Sequence, residues 1–500
     1  MVDSDDAFER VVQGSIFIFI GNSLGAASAF LTRLFAARYL GPADYGLIVL
    51  GVTLLNISSI IALLGLPDGV ARQLPRSKNK NKLFFSALSL ALPVAVLISL
   101  LMITFAKEIA AVLQEPNFSP ILILFAFGIP FLTFIRLTVG GMRGLESARG
   151  RIAIQNLGYQ GLTAVGVIIG VFLGFGTYEI AGSWITALLI STVVGGYLLS
   201  KKLTIVPELS PTFRRGKMVS YLNRTRSLLL FSLPLLLSRG LQVLLQQSDN
   251  FLLGFFLHSN VVGIYDAAFT VGKLLLLFID SAVFLFLPLF SDLHSKEQWG
   301  QMDRIYELTA KWLVFITLPI YLIVVFFPDQ ILTFVFGSAY ARGDTALVII
   351  ASGFFVHVIL GTNGTGLIAT GYTRKILWGN VMGFTLNIGL NIALIPRIGI
   401  IGAAIASAFG YGISNIYWMH QLYSQTGIQP FSKPYLYIVT GSTVGFLLLF
   451  TLTRILGESG TTAMGLLTVL YFVLHIVLIG LVGIESEETK WISEHLPKVD

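Results

Sequence analysis

The sequence predicts an all-α polytopic membrane protein with about 14 transmembrane helices. Two six-helix pseudo-repeat bundles come first and two further helices follow. Three observations predict this class. Apolar residues form 55% of the chain, only 12% are charged, and the mean hydropathy is +0.81; soluble domains carry about 25% charged residues. Apolar runs of about 20 residues, enough to cross a bilayer as a helix, recur along the chain. Basic residues collect in alternate connections, as they do on the cytoplasmic side of membranes.

Several classes are excluded by what is missing. The chain has no cysteine, so disulfides, thiolate metal sites and a cysteine nucleophile are ruled out. Its six histidines, at 258, 294, 357, 420, 475 and 495, show no metal-ligand spacing. No phosphate-cradling Gly-x-x-x-x-Gly-Lys-Ser/Thr loop is present, so the chain is not expected to hydrolyse ATP. No cofactor and no enzyme activity are expected. The net charge of +7 is spread over connections rather than gathered on one face, which argues against nucleic acid.

In chain order, Asp3, Asp5, Asp6 and Glu9 stand where a cleavable leader has basic residues, so the first helix is expected to be retained. Apolar spans centre near Ala26, Asn56, Ala95, Gly128, Gly166 and Leu188, forming the first bundle over residues 1–200. A basic connector, residues 201–226, carries Lys201, Lys202, Arg214, Arg215, Lys217, Arg224 and Arg226. It reads either as a topology-setting loop, attracting anionic lipid by about 1 kcal/mol per cation, or as an interfacial helix gating headgroup admission. The second bundle, 227–424, has centres near Leu241, Leu275, Pro319, Phe355, Ile388 and Ala408. Residues 425–484 add spans near Gly445 and Phe472, and 485–500 form a tail.

The connector shares its side of the membrane with Arg72, Arg76, Lys78, Lys80 and Lys82, with Arg143, Arg149 and Arg151, and with Arg374 and Lys375. Opposite connections hold only isolated cations: Arg38, Lys107, Arg342, Arg397 and Arg454. The alternation places both termini in the cytoplasm.

A repeat relates the bundles. Setting Tyr39–Leu47 on Phe256–Ile264 aligns the first interhelical turn of each, with Leu40 on Leu257 and Gly46 on Gly263. Such repeats place substrate between bundles that rock against each other.

Few charges fall inside the spans: Arg33, Arg136, Arg239, Asp249, Asp266, Lys273 and Asp280. A charge at mid-membrane costs about 2.5–3.5 kcal/mol on insertion scales, so these residues should face a cavity or a partner. Asp266, Lys273 and Asp280 recur at steps of seven and form a stripe on one helix. Arg239, Gln242, Gln246 and Asp249 give the preceding helix a polar face. Arg136 lies near an inner helix end and is expected to snorkel. Asn387 and Asn391 share a helix face, facing a cavity or bonding between helices.

The stretch Gly361–Tyr411, with its run NIGLNIALIPRIGIIGAAIAS, resembles the C-terminal half of polysaccharide and lipid-linked oligosaccharide flippases. The turns Leu40–Gly46 (LGPADYG) and Gly65–Arg72 (GLPDGVAR) fit the same pattern, as do Leu287–Ser291 and Phe336–Tyr340. These belong to the polysaccharide transporter (Wzx-like) branch of the multidrug/oligosaccharidyl-lipid/polysaccharide exporter superfamily. The resemblance covers nearly the whole chain and implies a two-lobed, V-shaped arrangement in the cytoplasmic membrane. It implies alternating-access flipping of a polyprenyl-(di)phosphate-linked oligosaccharide for surface polysaccharide or glycoprotein glycan assembly. Partners would be glycosyltransferases or a polymerase or oligosaccharyltransferase. Guanidinium binds phosphate through a planar donor fork, so Arg239, Arg33 and Lys273 are the candidates for the anion. Asp280, Asp266, Asp249, Gln242, Gln246, Asn387 and Asn391 are candidates for cavity or coupling roles. The bland alternative for Arg239 is a structural ion pair with Asp280 or Asp249. Rival functions are a cation-coupled multidrug exporter, disfavoured by the lack of a carboxylate in residues 15–40, and a non-transporting protein of lipid-linked glycan synthesis.

Overall fold

The computed structural model describes residues 4–203, 228–229, 232, 240–455, 460–478 and 480. Every regular element among them is helical. Eleven of the described segments are long and apolar enough to cross a membrane. The chain is therefore a multi-pass all-helical membrane protein, with eleven rather than fourteen qualifying segments among the described residues. The first of these, Phe19–Leu63 within α1 (Ser4–Leu63), has 45 residues. At 1.5 Å per residue that is about 68 Å, twice the length one crossing needs. Gly41 divides it: φ 77° and ψ 171° leave the helical region, and Pro42 follows without an N–H. The span expected near Leu241 is described in part, as α9 (240–256). The one near Phe472 is short, Leu467–Leu478 within α19 (Gly460–Leu478).

The chain forms two compact units. The first comprises Met1–Ala267, Val335–Tyr340 and Phe384–Ala406. At its centre α5 (Phe118–Gly144) packs on α1, α2 (Leu66–Gln73), α3 (Lys80–Thr104) and α8 (Thr177–Ser200). Phe125 meets Trp184 edge to face, with centroids 6.2 Å apart. Pro130 lies inside α5 and deprives the Ala126 carbonyl of its helical donor. The Ser99 hydroxyl of α3 replaces that donor at 2.8 Å, which is how apolar surroundings tolerate a buried proline. The span Ala148–Phe172 is not uniform: α6 (Ala148–Ile152) passes into a nine-residue π-helix, Ala153–Gly161, and then α7 (Leu162–Phe172). After α9 comes α10 (Ser259–Lys273).

The second unit comprises Ala268–Phe334, Ala341–Gly383 and Ser407–Asp500. In one apolar cluster Leu313, Val314 and Leu318 of α12 (Trp299–Phe326) pack with Phe446 of α18 (Lys433–Ile455) and Tyr471 of α19. A second gathers Phe286, Phe290, Tyr306, Met419 and Leu422. The proline device recurs here. Pro319 strips the Phe315 carbonyl of its donor, and His475 Nε2–H supplies one at 2.8 Å. His475 Nδ1 then accepts from Ser442 Oγ at 2.5 Å, and Ser442 accepts from the Tyr471 hydroxyl, also at 2.5 Å.

Candidate functional site

The first unit's polar site grows out of the break at Gly41. Under the repeat alignment Pro42 corresponds to Ser259 and Gly46 to Gly263, and these four residues touch reciprocally. A Cβ on Gly46 would run into the Ser259 carbonyl oxygen, and one on Gly263 into that of Pro42. Only glycine permits this approach of two backbones. Glu115 Oε1 accepts the Ser259 backbone N–H at 2.6 Å, placing a carboxylate at the N-terminus of α10, where the helix dipole favours it. The Tyr340 hydroxyl donates to the Ala37 carbonyl at 2.7 Å, bracing α1 just before its break.

Two turns into α10, so anchored, Asp266 faces α1. Its Oδ2 accepts from the Tyr45 hydroxyl at 2.5 Å and lies 3.3 Å from Arg33 Nε. Its Oδ1 accepts from Asn250 Nδ2 at 3.2 Å. Extended backwards, the repeat alignment pairs Arg33 with Asn250, so two pseudo-equivalent side chains hold one carboxylate. The Asp266 side chain is 5% exposed and that of Arg33 40%. The carboxylate is sealed in, while the Arg33 side chain is partly exposed.

A second cluster lies beside the first. Asp249 Oδ1 accepts from Asn387 Nδ2 at 3.0 Å and Asn391 Nδ2 at 2.7 Å, and Oδ2 accepts from the Tyr265 hydroxyl at 2.6 Å. Ser248 Oγ donates to Asn387 Oδ1 at 2.8 Å. The two asparagines, both on α16 (Thr373–Ile398), are fully buried. The clusters interlock, since Tyr265 donates to Asp249 while Asn250 donates to Asp266.

The other expected residues fall elsewhere. Arg239 and all but the first residues of the basic connector lie outside the described residues. Gln242 is exposed and Gln246 half-buried on α9. The expected stripe is interrupted: a 3₁₀ turn, Leu274–Leu276, separates Lys273 from α11 (Leu277–Ser295), which carries Asp280. Asp266 belongs to the first unit; Lys273 and Asp280 belong to the second, where each feels the other's charge. Arg136 does not snorkel. Its Nη2 donates to Asn56 Oδ1 at 2.5 Å, and Nη1 lies 3.4 Å from the Asn56 carbonyl oxygen. Among the described residues no group of three His, Asp or Glu side chains could hold a metal ion.

Sequence reasoning missed Tyr45, Asn250 and Tyr265. For the first two a signal existed, because the repeat alignment places Asn250 on Arg33 and Tyr45 lies within the repeated turn itself. Tyr265 gives no comparable sign, since its partner is fixed by tertiary packing.

Comparison with known proteins bears on the family and the fold. The sequence profile of the family described as polysaccharide biosynthesis protein matches residues 11–294, more than half of the chain. The probable low-salt glycan biosynthesis flippase Agl15 of Haloferax volcanii is 28% identical over 423 residues, covering 84% of this chain and 85% of that protein. The probable flippase AglR of the same organism is 22% identical, covering 81% and 82%. In fold, the chain is similar to the lipid II flippase MurJ in an inward closed conformation, with a TM-score of 0.74 and 13% identity over 93% of this chain and 98% of that one. An inward-facing multidrug resistance MATE transporter of the MOP superfamily gives 0.66 at 17% identity, over 82% and 98%.

Proposed function

This chain belongs to the polysaccharide biosynthesis protein family, and from that premise we propose that it is a Wzx-like flippase of the MOP superfamily, together with what it carries and how. It is a membrane flippase rather than an enzyme. Its cargo is a polyprenyl-(di)phosphate-linked oligosaccharide, moved across the cytoplasmic membrane for surface polysaccharide or glycoprotein glycan assembly. One observation carries the reading: Arg33, in an apolar span, has a partly exposed side chain whose Nε edge is neutralised by buried Asp266, leaving its Nη donors for an anion. Such a group offers an anion two parallel donors without leaving an uncompensated charge when empty. Lys273, and Arg239 outside the described residues, are the companion cations.

Two six-helix lobes, 1–200 and 227–424, rock about the site, with 425–484 as accessory helices and both termini in the cytoplasm. The connector 201–226 holds anionic lipid on that side. Asp249, buried with Asn387 and Asn391, is the best-organised carboxylate for coupling, and Asp266 and Asp280 are secondary candidates. Gln242 and Gln246 line the cavity. Product passes to a polymerase or oligosaccharyltransferase, and substrate arrives from glycosyltransferases. Deleting the gene tests the reading. The lipid-linked oligosaccharide is expected to accumulate in the cytoplasmic leaflet; an unchanged pool and distribution overturns it.

A further inference from the structure

Arg136 is an anomaly that the site described above does not use. It lies within the apolar span Phe118–Gly144, yet among the described residues its hydrogen bonds go only to the side chain and backbone of neutral Asn56. No carboxylate among the described residues comes within ion-pair distance of it. A guanidinium has five N–H donors, so these bonds leave several unspent. Keeping such a cation in an apolar span without a counter-ion is costly and in itself stabilises nothing.

Its surroundings are also polar and incompletely bonded. The π-helix Ala153–Gly161 brings Tyr159 within Coulombic reach of both Arg136 and Arg33. Short π segments in α-helices are frequent at functional sites, because they re-aim side chains that a regular helix would turn elsewhere. On the same segment Asn156 and Gln160 crowd against Gly25 of α1, where a Cβ would meet both amides. Asn156 is 5% exposed, and its Oδ1, like Gln160 Oε1, has no hydrogen-bond partner among the described residues. Arg33 stands eight residues before the Gly41 break and Arg136 eight before the end of α5 at Gly144. At 1.5 Å per residue each is about 12 Å from its helix end. The alternation of spans runs the first segment of α1 and α5 in opposite directions, which assigns the two guanidiniums to opposite halves of the membrane, each within Coulombic reach of Tyr159.

We propose that Arg136 is a second phosphate-binding station of the first unit, oriented by Asn56 and set in the opposite half of the membrane from Arg33. The ligand is the phosphate or diphosphate of a lipid-linked substrate. The proposal rests on the flippase reading and adds a residue to it: the anion is passed between two fixed forks rather than held at one.

Binding of geranylgeranyl diphosphate to the purified full chain in detergent tests this, with inorganic pyrophosphate as competitor. Arg136→Lys, which keeps charge but loses the fork, is expected to weaken binding about tenfold, and Arg136→Gln further. Without ligand, Arg136→Gln is expected to unfold at or above the wild-type temperature, since it removes an uncompensated cation. Wild-type affinity in both variants overturns the proposal, as does a lowered unfolding temperature with affinity retained, which marks a structural pin. Should the glutamine variant fail to fold, the lysine variant decides alone. Failure of pyrophosphate to compete, or a tighter grip on pyrophosphate than on the lipid, also overturns it. Loss of binding in Arg33→Ala but not in the Arg136 variants removes only this inference. No binding by wild type removes the flippase reading beneath it.

Discussion

Gly46 and Gly263 occupy equivalent turns of the internal repeat and lie against each other, each beneath a carbonyl from the other's turn. The Ser259 oxygen covers Gly46 and the Pro42 oxygen covers Gly263. The contact is symmetric because each turn carries its glycine at the equivalent position. It brings Asp266 to Arg33 and Tyr45, so the polar site inherits its geometry from backbone packing within one turn of Asp266 and Tyr45.

Alanine at either glycine forces these backbones apart. Gly46→Ala and Gly263→Ala are each expected to cost about 1–3 kcal/mol through overpacking. The double variant should cost clearly less than the two together, because the first change already opens the shared contact. SDS-driven unfolding of the purified protein measures this. Strict additivity would show that the two positions do not meet.

Asp266 gathers three donors, and removing its charge should be felt through all of them. Asp266→Asn is expected to lose about 1–3 kcal/mol, less than the about 3–5 kcal/mol of a fully buried ion pair because Arg33 is 40% exposed. Tyr45→Phe should cost about 1.5–3 kcal/mol in the wild type, as a hydrogen bond to a charged group, and less than half of that beside Asp266→Asn. Equal costs in both backgrounds would refute the shared hydrogen bond.

Pro319 and His475 form a donor-for-donor exchange that a rescue experiment can isolate. His475→Ala strands the Phe315 carbonyl and is expected to cost about 1–3 kcal/mol. Pro319→Ala returns a backbone N–H to that carbonyl and should recover most of the loss in the double variant. Ser99 and Pro130 should behave alike, since Ser99 serves the Ala126 carbonyl in the same way. No rescue in either pair would mean that the side chains are held for another reason.

The absence of native cysteine makes sidedness directly readable. Ser210→Cys, in the basic connector, is expected to resist an impermeant thiol reagent in intact cells and to react after lysis. Reaction in intact cells would reverse the assigned orientation.

Much of the fold was legible because membrane spans are written locally, as apolar runs of fixed length. The Gly41–Pro42 break was equally plain, since two backbone-specific residues stand together there. The site was legible only as a set of costly residues, Arg33, Asp249 and Asp266 among them. Which of them meet depends on helix phase. The 3₁₀ turn at Leu274–Leu276 and the π-helix at Ala153–Gly161 both reset that phase, and neither has a sequence signature. A stripe drawn through Asp266, Lys273 and Asp280 assumed one unbroken helix. Arg136 was misjudged for a related reason: its depth was read along α5 alone, while its partner Asn56 comes from α1.

The central claim is that this chain carries a lipid-linked anion past Arg33. Flipping by purified protein in proteoliposomes tests it most directly, using a fluorescent polyprenyl-diphosphate oligosaccharide and an impermeant quencher. The account predicts that wild-type protein exposes the inner-leaflet lipid to quencher far faster than protein-free vesicles do. Arg33→Ala, incorporated to the same level, should fall close to the protein-free rate. Wild-type vesicles that quench no faster than empty ones, or an Arg33→Ala protein that flips at the wild-type rate, would contradict it.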